Sequence, residues 1–559
     1  MDFDSDAVEA VAGYEYVSLD VYDTLLVRPY VRPKDVFRHI ELTEKAEGFL
    51  EERVASEERC MRSSEPTTLD RIYEGMPERF RHLKEKELEY ESNAVCPKRI
   101  LETYGRIASQ HRVVLMTDMY LPRGFIEGLL KKNGIEGYEG FYLSAETGVS
   151  KGKGNAFDYV VKDLNIDKSQ IIHVGDNIKT DYLNPKRMGF NAVLTERPVN
   201  SYFKKNKGAK RFYEKSKTLG RSIIVGMDVI HWFDDRDWPF WKDISYRFGG
   251  PLVSDYARFV ADNRREGDTV LLAARDGYNI DRVMKVLFPG IPTHYVYVPR
   301  ALNVLIGSNY AQHTNYKRRI VESFYGDVPD PEEFFDTHLE EIEGKRKQLL
   351  ESFRQRMVAE TGDPKSISAV DVTTLKYSSQ KLIMDVFPEA DVQGIYYFLL
   401  LDVPELAHRA YHVRKRVLKV ADNINITEFF MTSPEPPIIG VDEKGAPVFR
   451  EPCRDEKDRL DIYGEVTEGE TEYARDILRM FGDRMIPMGF EDIHGWMRNL
   501  IMGSGAKMRG RLTEMKWAVD ADHTIYVSMI YHPRDTWFHL KKTVIDLGWY
   551  AVTLVRGER

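Results

Sequence analysis

Short apolar runs alternate with amphipathic stretches along residues 112–195, and that alternation limits the folds open to this chain. "HRVVLMTDMYLP" reads as a strand that stops at Thr117-Asp118. A helix ("RGFIEGLLKKNG"), a strand ("GFYLSAE"), a helix ("GNAFDYVVKDLNI"), a strand ("QIIHVGDN"), a helix ("TDYLNPKRMGF") and a strand ("NAVLT") follow. Strands alternating with helices predict a parallel sheet covered on both faces, an α/β core. An earlier strand, "YVSLDVYDTLL", joins the set and ends on Asp20, Asp23 and Thr24. Between it and residue 111 the chain is charged and helix-like, and reads as a lid over the sheet.

Where apolar runs end or a helix begins, four polar points stand out: Asp20, Thr117, Lys151 and Asp176, with Asp181 five residues further on. In an open parallel sheet the carboxyl ends of neighbouring strands converge on one crevice, so these groups can meet. Carboxylates, a lysine and a hydroxyl make a site for a hard cation and a phosphate. Mg2+ takes one or two carboxylates plus substrate oxygens and water. A carboxylate can attack phosphorus in line while a lysine and a hydroxyl hold the remaining oxygens.

The ordered set "LDVYDTLL … VVLMTD … SKGKGNAF … VGDNIKTD" resembles the four motifs of the haloacid dehalogenase (HAD) superfamily. "SLDVYDTLLVRPYVRPKDVF", "TDMYLP" and "GDNIKTDYLNPKRMGF" resemble a subgroup of predicted HAD hydrolases associated with bacterial glycosyltransferases. The resemblance implies a Rossmann-like HAD core over 1–32 and 111–202, with a helical cap at 33–110 inserted after the first strand. It implies Asp20 as nucleophile and metal ligand, Thr117 and Lys151 on the phosphoryl group, and Asp176 and Asp181 as further metal ligands. The implied substrate is a small phosphorylated metabolite such as a sugar phosphate, and a glycosyltransferase is an implied partner.

One position departs from the pattern. HAD phosphatases carry an acid/base aspartate two residues after the nucleophile. Here that residue is Tyr22, and Asp23 follows it. A phenol with a pKa near 10 is a poor proton shuttle at neutral pH. Dehalogenases also carry a non-acidic residue there, so a carbon–halogen hydrolase stays open. So does a non-catalytic or regulatory partner in glycan assembly. Asp23 is the candidate replacement acid/base.

A helical linker is expected at 203–245, with the junction in "HWFDDRDWPFWKD", and a larger α/β region of one or two domains at 246–559. There Arg275 and Asp276 follow one apolar strand, and Asp371, Thr373, Thr374 and Ser378 follow another. Hydroxyls and turn amides before a helix suit an anion, and the order resembles phosphoribosyltransferases, so a second site is a candidate. Residues 325–365 read as helical and 430–465 as loops. Asp118 is expected to cap the helix near 123, with a substrate contact as the alternative, Arg53, Glu57 and Arg59 to pair on the surface or between helices, and His294 and His313 to be structural or surface residues. A net charge of −9 argues against a general nucleic-acid binder. Three scattered cysteines (Cys60, Cys96, Cys453), no basic–apolar leader and no membrane-length apolar run lead to the expectation of a cytoplasmic protein.

Overall fold

The computed structural model describes residues 2–313, 315–415, 424–502, 506–518 and 526–528. It divides into two compact units: Met1–Asp237 with Arg479–Met488, and Trp238–Leu478 with Gly489–Arg559. The division falls inside the aromatic and acidic stretch that the sequence marks as a junction. Residues 203–237 belong to the first unit, so the expected linker is largely part of that core. Its helix Leu219–Asp234 is buried on nearly every face.

The first unit carries a parallel sheet of β1 (Tyr16–Leu19), β2 (Arg112–Thr117), β3 (Gly140–Leu143), β4 (Ile171–Gly175) and β5 (Asn191–Leu194). Its order is β3-β2-β1-β4-β5, with every pairing parallel. All of β1 and β4 is buried, as central strands covered on both faces require. Tyr16, Val114, Met116, Phe157, Val160 and Ile171 pack together on one face. The strand order reverses at β1, which has β2 on one side and β4 on the other. That switch point is where α/β sheets open a crevice.

Between β1 and β2 the chain forms six helices, from Asp35–Thr43 to Lys98–Ala108. Val27 and Val95, near the two ends of this stretch, exchange backbone hydrogen bonds of 2.7 and 2.9 Å. Inside it Arg53 is fully buried, donating to both oxygens of Glu87 at 2.6 Å and to Glu57 at 2.8 Å. Glu57 is the expected partner at i,i+4 on the same helix, whereas the buried inter-helix partner is Glu87 on helix Lys84–Glu91, and Arg59 donates to the Gly75 carbonyl at 3.0 Å.

The second unit holds another parallel sheet: β6 (Thr269–Ala273), β7 (Thr293–Val296), β8 (Ser366–Leu375), β9 (Asp391–Leu401) and β10 (Ala410–Lys415), ordered β10-β9-β8-β6-β7. Close packing seats the helix after β6, because a Cβ on Gly277 would lie 2.7 Å from that of Leu272. Residues 325–365 are largely helical, as read from sequence. The loop reading of 430–465 needs correction. Ile438–Val441 and Pro447–Phe449 pair as antiparallel strands around a turn at Gly445 (φ 77°), and helix Arg454–Phe481 starts within the stretch.

Candidate active site

Asp20 leaves β1 with its amide still donating to the Val174 carbonyl of β4 at 2.9 Å. Its carboxylate is buried; Oδ2 accepts from Thr24 Oγ1 at 3.3 Å and Oδ1 from Lys151 Nζ at 2.5 Å. The same ammonium lies 2.7 Å from Asp181 Oδ1. One buried lysine therefore bridges the carboxylates that end β1 and follow β4.

The loop carrying Lys151 is fixed by side chains from elsewhere. Asp118 accepts the amides of Lys151 and Gly152, both at 2.9 Å, while Asn184 Nδ2 donates to the carbonyls of the same two residues at 2.8 and 3.0 Å. Asp118 is thus not the expected helix cap. Pro122 stands at the start of that helix, and Asp118 orients the lysine loop instead.

Asp181 sits on the helical turn Ile178–Leu183, which Asn177 caps. Its Oδ2 accepts the Asn177 amide at 2.9 Å, and its Oδ1 lies 3.2 Å from His173 Nε2. Ser18 Oγ meets His173 Nδ1 at 2.9 Å. The sequence reading missed this supporting layer, although Ser18 and His173 are register partners across β1 and β4. Gly175 allows the approach: a Cβ there would lie 2.6 Å from the Asp181 carboxyl carbon.

Asp176 follows β4 directly, and Asp20, Asp176 and Asp181 each present an oxygen within 4.8 Å of the others. Asp23, at φ 61°, sets its carboxylate 3.0 Å from Arg197, whose Nε lies 3.7 Å from Asp176. Arg197 was also missed from sequence, because it follows β5. Thr117 closes β2 at the same end of the sheet and is buried.

Crowded buried charge shapes the electrostatics. Burial and the neighbouring Asp181 push Asp20 up to about 7, although Lys151 pulls the other way. Burial, then Asp20 and Asp23, push Asp176 up to about 8. Burial opposes ionisation of Asp181 as well, but Lys151 and His173 outweigh it and hold this carboxylate well below the ordinary range. Burial opposes the charge of Lys151, and Asp20 and Asp181 overcome it, keeping the amine protonated. Burial lowers His173 and favours its neutral form. With Asp23 included, four carboxylates face the Lys151 ammonium and the Arg197 guanidinium, which leaves a deficit of positive charge, and the all-oxygen donor set of Asp20, Asp176 and Asp181 suits Mg2+.

Tyr22 points into a different neighbourhood. Its ring lies under the Arg28 guanidinium, 4.3 Å from the ring centre, and burial followed by Glu91 pushes its phenol well above the ordinary value.

The second-unit candidates stand differently from their sequence reading. β8 runs on to Leu375, so Asp371, Thr373 and Thr374 lie within a strand and pair with β9, rather than in a loop. Arg275 Nη1 donates to Glu456 at 3.0 Å, Thr373 to Glu428 at 2.9 Å, and Asp371 accepts the Val372 amide at 2.8 Å. Asp276 precedes helix Gly277–Leu287, and Ser378 opens helix Ser378–Val386. Among the described residues, the only three-carboxylate group compact enough for a metal ion is the one in the first unit. No described helix is long and apolar enough to cross a membrane.

No protein-family model matches the chain, and no curated protein does. Among solved structures, a haloacid dehalogenase-like family hydrolase from Xanthomonas campestris is 14% identical with a TM-score of 0.27, over 33% of this chain and 82% of that one. A HAD family enzyme from Bacteroides thetaiotaomicron, in complex with magnesium and inorganic phosphate, is 16% identical with a TM-score of 0.25, over 33% of this chain and 96% of that one. An uncharacterized protein from Listeria monocytogenes serotype 4b is 18% identical with a TM-score of 0.20, over 31% and 74%. At these scores the likenesses carry no argument about chemistry.

Proposed function

We propose that this chain is a HAD-type, Mg2+-dependent phosphatase or phosphotransferase acting on a small phosphorylated metabolite. One observation carries the reading: the Lys151 ammonium bridges Asp20 and Asp181 while Asp176 offers a third carboxylate to the same point. Asp20, Asp176 and Asp181 would hold Mg2+, which when bound neutralises charge on the phosphoryl oxygens.

The protein's own groups account for the rest. An Asp20 oxygen attacks phosphorus; the P–O ester bond breaks, the alcohol leaves, and an aspartyl-phosphate remains. Lys151 keeps the attacking carboxylate oriented and offsets the charge that gathers there, and Thr117 donates to the phosphoryl group. Water, or an acceptor alcohol, then attacks phosphorus and frees Asp20. The departing alkoxide needs a proton, and the next attack needs one removed. Asp23 takes that role, held by Arg197 at the rim, because the phenol of Tyr22 gives up its proton too reluctantly. The helices between β1 and β2 act as a cap that excludes water. The motif resemblance adds a sugar phosphate as substrate and a glycosyltransferase as partner.

A second reading, a binding domain that has lost turnover, draws on the placement of Tyr22 against Arg28 rather than beside Asp20. Phosphate release from a panel of phosphorylated metabolites with Mg2+, by wild type and Asp20→Asn, separates the two. Turnover that requires Asp20 supports the enzyme. Silence across the panel from a folded protein that still binds Mg2+ supports the binding domain.

A further inference from the structure

Away from the carboxylate cluster, the first unit carries charge of the opposite sign. Residues 198–217 hold seven lysines and arginines against a single glutamate, in a chain whose net charge is −9. They form helix Pro198–Lys205, helix Lys207–Lys215 and the two residues after it. Both helices sort their side chains by face. Val199, Tyr202, Ala209, Phe212 and Tyr213 are buried, while all seven cations, from Lys204 to Lys217, are exposed. Packing fixes the inner face: the Tyr202 ring meets Trp232 at 5.9 Å, and Arg221 donates to the Phe212 carbonyl at 2.7 Å. Phe203 stacks on Tyr213 at 6.2 Å and joins the two helices. The cations are therefore held outward by what lies beneath them.

Little on the surface neutralises them. Lys204 pairs with Glu196 at 2.7 Å, and Lys210 lies 3.8 Å from Glu214. Among the described residues, Lys205, Lys207, Arg211, Lys215 and Lys217 have no carboxylate partner. Lys207, Arg211 and Lys215 succeed one another at i,i+4, a spacing at which like charges repel. An external anion relieves that repulsion.

The composition of the face selects the kind of anion. Nucleic-acid surfaces combine cations with aromatic stacking platforms and arginine forks. Here six of the seven cations are lysines, and Tyr202, Phe212 and Tyr213 are turned inward. Protein interfaces are depleted in lysine and centre on apolar or aromatic anchors. Among the described residues 198–217 no large apolar side chain is exposed. Lysines spread over helices without an anchor match a diffuse layer of negative charge, such as lipid headgroups present. The surface also has a position: helix Pro198–Lys205 starts from Arg197, which holds Asp23 at 3.0 Å. Lys205 stands about 12 Å further along that helix, so what docks there lies beside the candidate active site.

We propose that helices Pro198–Lys205 and Lys207–Lys215 form a docking surface for an anionic lipid bilayer, held at the headgroup layer by charge without insertion. The full chain should sediment with vesicles of phosphatidylcholine containing about one-third phosphatidylglycerol, and bind pure phosphatidylcholine at least about tenfold more weakly. Raising salt from about 50 to about 300 mM should weaken binding by about tenfold or more. The triple variant Lys205→Gln, Lys207→Gln, Arg211→Gln changes only exposed, unpaired side chains and should lose about a hundredfold in affinity. A control with the same loss of charge elsewhere in the unit, Arg106→Gln, Lys131→Gln, Lys162→Gln, should stay within about threefold. No binding to the anionic vesicles, or equal losses in the two triple variants, overturns the proposal. So does an oligonucleotide that binds more tightly than the vesicles and is released by the first variant, which would assign the surface to nucleic acid. The lipid and salt dependence of the wild type decides the matter should the first variant fail to fold.

Discussion

In the first sheet β1 and β4 run level, with Leu19 beside Val174, and the chain leaves both into loops that carry Asp20 and Asp176. In the second sheet, the same kind of order reversal lies between β6 and β8, but the strands are staggered. The last β6 pairing there is Leu272 with Val370, and β8 continues to Leu375 against β9. Level ends let side chains from separate loops turn inward to one point. A strand that overruns its neighbour keeps its polar groups in a ladder, where alternate residues face opposite ways. Equal topology therefore produces a compact carboxylate cluster in one unit, while in the other Thr373 pairs with Glu428 and Arg275 with Glu456.

The sharpest way to break this contrast is to exchange the losses. Asp20→Asn should cut phosphate release by about a thousandfold or more, as removing a nucleophile does, whereas Asp371→Ala should stay within about twofold of wild type. Activity that survived the first change and vanished with the second would move the chemistry to the second sheet.

A change inside the first unit should be costly without touching the site. Arg53→Met leaves the buried Glu87 carboxylate uncompensated, and urea unfolding should show a loss of about 3–5 kcal/mol. The exposed pair Arg258–Asp262 in the second unit, spaced i,i+4, should lose under about 1 kcal/mol on the same measurement.

Arg197→Ala removes the ion partner of Asp23 at the rim. Turnover should fall by about tenfold to a hundredfold, with Mg2+ affinity less affected, when kcat and metal titrations are read together. An unchanged kcat would release Asp23 from the acid/base role.

The smallest effect is a pH dependence. Asp20 and Asp176 are raised to about 7 and about 8. Between the ordinary carboxylate range and those values, the folded, metal-free protein binds more protons than the unfolded chain. Its stability therefore falls as pH rises through that window. Asp181 is depressed and works in the opposite sense, losing its contribution only in acid. Calorimetry in chelator should show the Tm of the first unit dropping by a few degrees from about pH 5 to about pH 8, and Mg2+ should flatten the slope. A slope that Mg2+ leaves intact would count against the carboxylate cluster as its origin.

The sequence made parts of this arrangement readable for a physical reason. Asp20 and Asp176 interrupt apolar runs, and an acidic group at the end of a buried strand shows in the local pattern. Lys151 and Asp181 follow because the motif order ties them to those strands. Asp118 was misread because its partners, the amides of Lys151 and Gly152, lie 33 and 34 residues away. Nothing in the local pattern sets His173 apart inside its apolar run; only its register with Ser18 and its contact with Asp181 reveal it. Asp371 seemed to end a strand because its apolar run stops there, yet pairing with β9 carries the strand onward. Local composition reports where a run ends; the neighbouring strand decides whether the strand ends too.

The missing side chain at Gly175 turns one silent position into a guardian of the pocket. A single methyl there would occupy the volume that the Asp181 carboxyl needs and push it off the ammonium, without altering any charged residue. Damage to the chemistry can thus enter through a substitution that looks harmless on paper, and since aspartate is already the shortest carboxylate side chain, no shorter acid at position 181 could make room for it.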